Sequence, residues 1–264
     1  LPIRIETVDV LRIKKGNREE LRDFVSVEEP LTIFVNGEEV VTLLSTPSFQ
    51  KQLAVGFLFS EGILNRESNI ESLRFYKSKG VVNVNMDGNG DISKRLSSRR
   101  VITSGCCGGT SFYTERDIRN FDKTKSSIKI AKDDVMHLIG ELTSKSIEFK
   151  KTGGVHSAAL AKGKEIILFR EDIGRHNAID KIIGECFLSN ISTSDGVVLT
   201  SGRITSEITR KIGAAGVAII ISKSAPTSLA IKMAKELGIT LIGFARSGRM
   251  NIYSNKSRVV EETV

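Results

Sequence analysis

Only three cysteines occur in 264 residues, and two of them, Cys106 and Cys107, are neighbours. Two adjacent thiols and one distant one make no disulfide framework, which argues against a stapled secreted scaffold and for a reducing, cytoplasmic setting. Tryptophan is absent and tyrosine occurs three times, so no basic helix interleaved with aromatics offers itself to nucleic acid. The longest apolar run, "GAAGVAIII" at 213–221, falls far short of the roughly 18 residues of a membrane-crossing helix. The first stretch, "LPIRIETVDVLRIKKG", alternates like a strand and lacks the layout of a signal peptide. Neither nucleic acid nor a membrane is expected as a partner.

What is present is a soluble composition, 40% hydrophobic and 27% charged, with a formal charge of +8. That charge suits an anionic partner. A solvated basic surface and a dedicated anion site fit it equally, so position along the chain has to decide. The basic residues are scattered, with local pairs only at Lys94-Arg95 and Arg99-Arg100.

The first hundred residues read as short strands and turns. "LTIFVNGEEVVTLL" (31–44) predicts a hairpin about Asn36-Gly37, and "SFQKQLAVGFLFSEG" (48–62) a helix stopping at Gly62. "LRFYKS" and "VVNVNMDGNG" predict a second hairpin. "DDVMHLIGELTSKSIEF" (133–149) reads as one amphipathic helix that carries His137 at its surface or core edge. Beyond residue 153 a hairpin at Lys162-Gly163 precedes a helix over 176–188, with Cys186 on its apolar face. Strands and helices then alternate, and the strands are continuous apolar runs. Such alternation implies a parallel sheet between helices. A boundary at 125/126 separates an α+β N-terminal region, 1–125, from an α/β domain, 126–264.

Ligands of open α/β sheets bind beyond the carboxyl ends of the strands. Three successive strand ends carry similar loops: "TSGRITSE" with Ser201 and Arg203, "SKSAPTS" with Lys223, Ser224 and Thr227, and "FARSGRMN" with Arg246 and Arg249 around Gly248. Pro226 is placed like the first residue of a helix. Helix N-termini and guanidinium groups both bind phosphate oxygens. One such loop would be an ordinary helix cap; three in succession point to a phosphate-bearing ligand. No GxxxxGK[ST] and no GxGxxG at a strand–helix junction is present.

The cysteine pair lies in "ITSGCCGGTSF", flanked by Gly105, Gly108 and Gly109. A disulfide between neighbours closes a strained ring. A zinc site would have to recruit His156 and His176 from distant segments, and the deaminase signature HxE…PCxxC is absent. Glycine-rich backbone amides with Arg99 and Arg100 nearby would favour a thiolate, suited to nucleophilic attack or to carrying sulfur. Two small residues packed in a tight turn are the bland alternative. His156 follows Gly153-Gly154, and His176 stands beside Asp172 and Arg175 in "EDIGRHNA". They fit substrate binding and a helix-capping cluster equally.

The stretches "EEPLTIFVNGE", "TPSFQKQLAVGFLFSEGI", "TSGCCG", "GGVHSAAL", "REDIGRHNAIDKIIG", "TSGRITSEI" and "SKSAPTSLAIKMAKELGITLIGFARSGRMNIYS" resemble the FdhD family of formate dehydrogenase accessory sulfurtransferases, in the family's order. The resemblance implies a three-layer α/β/α, cytidine-deaminase-like domain without the deaminase zinc. It implies that sulfur arrives as a persulfide from a cysteine desulfurase. The acceptor would be the molybdenum (or tungsten) bis-guanine-dinucleotide cofactor used by formate dehydrogenase, bound as a substrate. It places the persulfide on Cys106 when "TSGC" is aligned without a gap, and the cofactor-binding segment on Phe244, Ala245, Arg246, Ser247, Gly248 and Arg249. Better-known members carry CxxC. Here Gly109 takes the second position, and Cys107 stands as second candidate. Ser201, Arg203, Lys223, Ser224, Thr227, His156 and His176 complete the expected cofactor site. The rivals are a non-catalytic cofactor carrier and a zinc nucleotide hydrolase. A homodimer is common for such folds.

Overall fold

The computed structural model describes residues 4–87, 101–102, 110–111 and 123–262. β1 (Ile5–Lys14) and β2 (Asn17–Ser26) form an antiparallel hairpin that turns at Lys15-Gly16. β3 (Glu29–Val35) and β4 (Glu38–Ser45) turn at Asn36 and Gly37, with φ of 50° and 85°. Both angles lie in the left-handed region that an Asn-Gly hairpin turn requires. β5 (Ile70–Tyr76) and β6 (Val81–Met86) make the second expected hairpin. β6 also pairs parallel with β3, and the four-stranded order is β4-β3-β6-β5. Alternation places Leu31, Ile33, Val35, Val82 and Val84 on one face, where they pack with Leu53, Ala54 and Leu58 of α1 (Gln50–Ser60).

β7 (Val101–Ile102) pairs antiparallel with β8 (Thr110–Ser111). Cys106 and Cys107, expected to carry the chemistry, lie outside the described residues, as do Arg99 and Arg100. β9 (Ile130–Ala131) leads into α2 (Lys132–Lys145) and α3 (Ile147–Thr152). The single helix expected over 133–149 is therefore two. Ser146 breaks it: its ψ is 67°, its hydroxyl donates to the Leu142 carbonyl at 2.8 Å, and it meets Ser157 Oγ at 2.7 Å. A serine that satisfies backbone and a tertiary partner at once competes with continuation of the helix.

The second sheet has the order β11-β10-β12-β13-β14-β15. Its strands are β10 (His156–Lys162), β11 (Glu165–Asp172), β12 (Val197–Thr200), β13 (Ile219–Ser222), β14 (Thr240–Arg246) and β15 (Arg249–Ser254). Only β12, β13 and β14 run parallel. β10, β11 and β15 are antiparallel to their neighbours, so the expected parallel sheet is a mixed one. The short β16 (Val259–Val260) pairs with β9.

Helices cover both faces. On one, α4 (Arg175–Leu188), α5 (Ser206–Ala214) and α6 (Ser228–Glu236) pack Ile179, Ile182, Ile208 and Met233 on Leu160, Val198, Ile220 and Leu241. On the other, Val135, Leu138 and Leu142 of α2 pack on Ala159, Leu199, Ile221 and Ile242. This double coverage is why the central strands are apolar throughout. Cys186 belongs to the first core, as expected, and burial pushes its thiol up to about 11.

The two sheets meet through α1 and α4. A Cβ on Gly56 would lie 1.8 Å from the Asp180 carbonyl oxygen, and one on Gly184 1.9 Å from that of Gln52. Glycine is required at both positions because the helix backbones touch. A layer of buried charge flanks the crossing. Lys211 bonds Asp180 at 2.8 Å, Arg210 bonds Glu61 at 2.5 Å, and Ser60 Oγ donates to Asp180 at 2.8 Å.

Candidate ligand-binding edge

Parallel pairing puts the carboxyl ends of β12, β13 and β14 on one edge of the sheet. The antiparallel flank brings two more ends there. Ala158 pairs with Thr200 and His156 with Asp172, so β10 begins, β11 ends and α4 starts beside the same loops. The edge thereby collects His156, Arg175, His176, Ser201 and Arg203. His156 Nδ1 lies 3.5 Å from where a Cβ on Gly202 would stand.

The three loops expected to act together are hydrogen-bonded to one another. Ile204 N–H donates to Ala225 O at 3.1 Å and Thr227 N–H to Ile204 O at 3.0 Å. Phe244 N–H donates to Ser224 O at 3.0 Å. Thr205 and Thr227 cap α5 and α6, each accepting from a first-turn amide. Pro226 consequently lies before the cap, bridged to Ile204, and is not the first helical residue as expected.

Individual roles sort by where each polar group is committed. Ser224 donates its N–H to Ser222 Oγ at 2.9 Å and works through its main chain. Lys223 reaches Thr143 of α2 at 3.1 Å, toward the opposite face of the sheet from α5 and α6. Ala245 is fully buried in the α2-side core, so only its backbone is available to a ligand. Arg203, Arg246 and Arg249 are exposed and form no ion pair among the described residues. Arg246 and Arg249 oppose each other across the Ser247-Gly248 turn, whose φ values are 51° and 74°. Phe244 adopts φ 53°, a strained conformation for an aromatic residue, with the Arg246 guanidinium 5.7 Å from its ring centroid.

Two histidines sit in different fields. His176 Nε2 lies 2.8 Å from Glu207 Oε2 on the first turn of α5. His156 is half-buried. Its pKa is held below the ordinary 6.5, first by burial and then by the charges of Arg175, His176 and Arg203, with Asp172 opposing. The neutral form of the ring is thereby favoured. Beneath them Asp172 is fully buried. Its Oδ2 pairs with Lys181 at 2.5 Å and accepts from Thr46, while its Oδ1 accepts from Gly174 N–H and Asn177 Nδ2 at 2.9 Å each.

Sequence reasoning missed Thr46, Lys181 and Glu207. A lysine among the isoleucines of "AIDKIIG" was the available signal for Lys181. Nothing local marks Thr46, which lies 126 residues from Asp172. Among the described residues no group of three His, Cys, Asp or Glu side chains is placed to hold a metal ion.

Fold and edge define an α/β protein with exposed arginines at the carboxyl ends of its parallel strands. The FdhD/NarQ family profile matches residues 26–260. "Sulfur carrier protein FdhD" of Bacillus subtilis is 41% identical over 253 residues, spanning 96% of this chain and 97% of that protein. The protein of the same name from Listeria innocua is 42% identical, spanning 95% and 97%. This chain belongs to the FdhD/NarQ family. A crystal structure from Desulfotalea psychrophila, assigned there as a formate dehydrogenase accessory protein, shares the fold. Its TM-score is 0.81 at 24% identity, covering 98% of this chain and all of that one.

Proposed function

We propose that this chain is a cytoplasmic sulfurtransferase that loads a molybdenum (or tungsten) bis-guanine-dinucleotide cofactor for formate dehydrogenase. A thiolate at Cys106 or Cys107 attacks the outer sulfur of a persulfide on a cysteine desulfurase. A new S–S bond forms on the carrier, and the desulfurase thiolate leaves. The cofactor is held at the strand-end edge, its phosphates by Arg203, Arg246 and Arg249 and by the amides that open α5 and α6. Its guanines offer flat faces to Phe244 and hydrogen-bonding edges to the loops. In this reading residues 126–264 are a cytidine-deaminase-like layered domain, 1–125 carry the sulfur, and the chain works as a homodimer.

The observation that carries the reading is the set of three mutually hydrogen-bonded loops at one edge, with exposed arginines that no carboxylate neutralises among the described residues. Membership of a family whose curated relatives are named sulfur carriers supplies the chemistry. The test is mass spectrometry of the full chain after incubation with a cysteine desulfurase and cysteine. A gain of one reducible sulfur on the 102–112 peptide is expected, lost in only one of Cys106→Ala and Cys107→Ala. No added sulfur, with an active desulfurase, leaves a carrier that presents the cofactor without transferring sulfur.

A further inference from the structure

His156 is the titratable group best placed to sense what occupies the edge. Ser201 Oγ accepts the Ser157 N–H at 2.9 Å and lies 3.4 Å from His156 Nδ1. The hydroxyl has one hydrogen, and with Nδ1 unprotonated that hydrogen points at the ring. In that tautomer the neutral ring carries its proton on Nε2. A proton added at Nδ1 reverses the bond. Nδ1–H donates to Ser201 Oγ, and the hydroxyl hydrogen becomes free to donate to a ligand.

The surrounding charges oppose that protonation while the edge is empty of anion. Arg175 and His176 of α4 and Arg203 of the loop after β12 each oppose positive charge on the ring. Asp172, across the ladder, is committed to Lys181, Thr46, Gly174 and Asn177. Glu207 of α5 is paired with His176. An anion set among Arg203, Ser201 and the ring offsets the repulsion, and each half of the change then favours the other.

We propose that His156 is the proton-linked ligand contact of this edge: a phosphate-bearing ligand binds together with one proton from solvent, taken up at Nδ1, and the Ser201 hydroxyl turns from donating to the ring to donating to the ligand. This rests on the strand-end edge being the cofactor site. It adds that loading is favoured by mild acid and that discharge of the anion releases a proton. By linkage, affinity changes by up to about tenfold per pH unit between the free and bound titration midpoints.

The chain has three histidines, His137, His156 and His176, so ring resonances of histidine-labelled full chain can be assigned by single substitutions. Titrations run from pH 5.5 to 8.5, alone and with saturating guanosine diphosphate, pyrophosphate or guanosine, with calorimetry to report binding. Expected is a His156 midpoint below 6.5 alone, raised by about one pH unit or more with guanosine diphosphate and with pyrophosphate. It stays unmoved with guanosine, and exposed His137 does not respond. The proposal is overturned if guanosine diphosphate binds and the His156 midpoint stays or falls. It is equally overturned if guanosine raises the midpoint as far, or if His156→Gln keeps the full pH dependence of binding. Absence of binding by either phosphate compound at every pH overturns the reading of the edge itself.

Discussion

The chain keeps its charges in two contrasting places. Between α1, α4 and α5 three buried cations each have a carboxylate: Lys181 with Asp172, Lys211 with Asp180, Arg210 with Glu61. At the strand-end edge Arg203, Arg246 and Arg249 stand exposed with no ion pair among the described residues. The first arrangement joins two sheets and pairs its own charges. The second has guanidinium groups to spare. A net charge of +8 says nothing about which lysines and arginines belong to which set. Only the pairing does.

The contrast breaks most strongly at Lys181. Lys181→Met leaves the Asp172 carboxylate buried without its cation and is expected to cost about 3–5 kcal/mol, read by urea denaturation. A cost below about 1 kcal/mol would mean that the neighbouring N–H donors suffice for Asp172. Next comes the helix crossing. Gly56→Ala forces apart backbones already in contact and should cost about 3 kcal/mol. Gly140→Ala in α2, where an added Cβ meets nothing within 4 Å, should gain about 0.5–1 kcal/mol. Equal effects at the two glycines would remove the close-approach argument.

Exposed arginines should behave in the opposite way. Arg203→Ala and Arg246→Ala are expected to change stability by no more than about 0.5 kcal/mol. Each should weaken guanosine diphosphate binding about tenfold and flatten its salt dependence. Loss of stability without loss of affinity would move these arginines into the structural set.

The smallest expected effect is on folding. His156 binds its proton less readily folded than unfolded, so the unfolded state holds more protons in that window. Stability therefore falls as pH drops through 6.5 toward the lower folded value, and rises on return. His156→Gln should flatten that part of a stability–pH profile. An unchanged profile would assign the slope to other groups.

Much of the fold was legible because its signals are local. Asn36-Gly37 specifies a hairpin through the left-handed angles it tolerates. Apolar runs at 197–200 and 219–222 mark strands covered on both faces. Illegible features depend on partners remote in sequence. Ser146 breaks a helix partly because Ser157 lies against it, and Gly56 is needed because Asp180 presses on it. Phe244 holds a positive φ that no aromatic residue advertises. Within the site, the three loops and both histidines could be named, but not that Lys223 reaches α2 or that Ala245 faces the core.

By itself the sequence determined most of the helices and hairpins and which strand ends carry basic loops, because hydrophobic period and turn chemistry act over a few residues. The tertiary structure alone decided which charges cancel and which remain free to meet a ligand. Thr46, Asp172 and Lys181 become one buried network, and His156 comes to lie against Ser201 and Gly202, only when antiparallel β10 is set beside parallel β12 and α1 is laid across α4. Pairings of that kind depend on distance in space, which the spacing of residues along a chain does not specify.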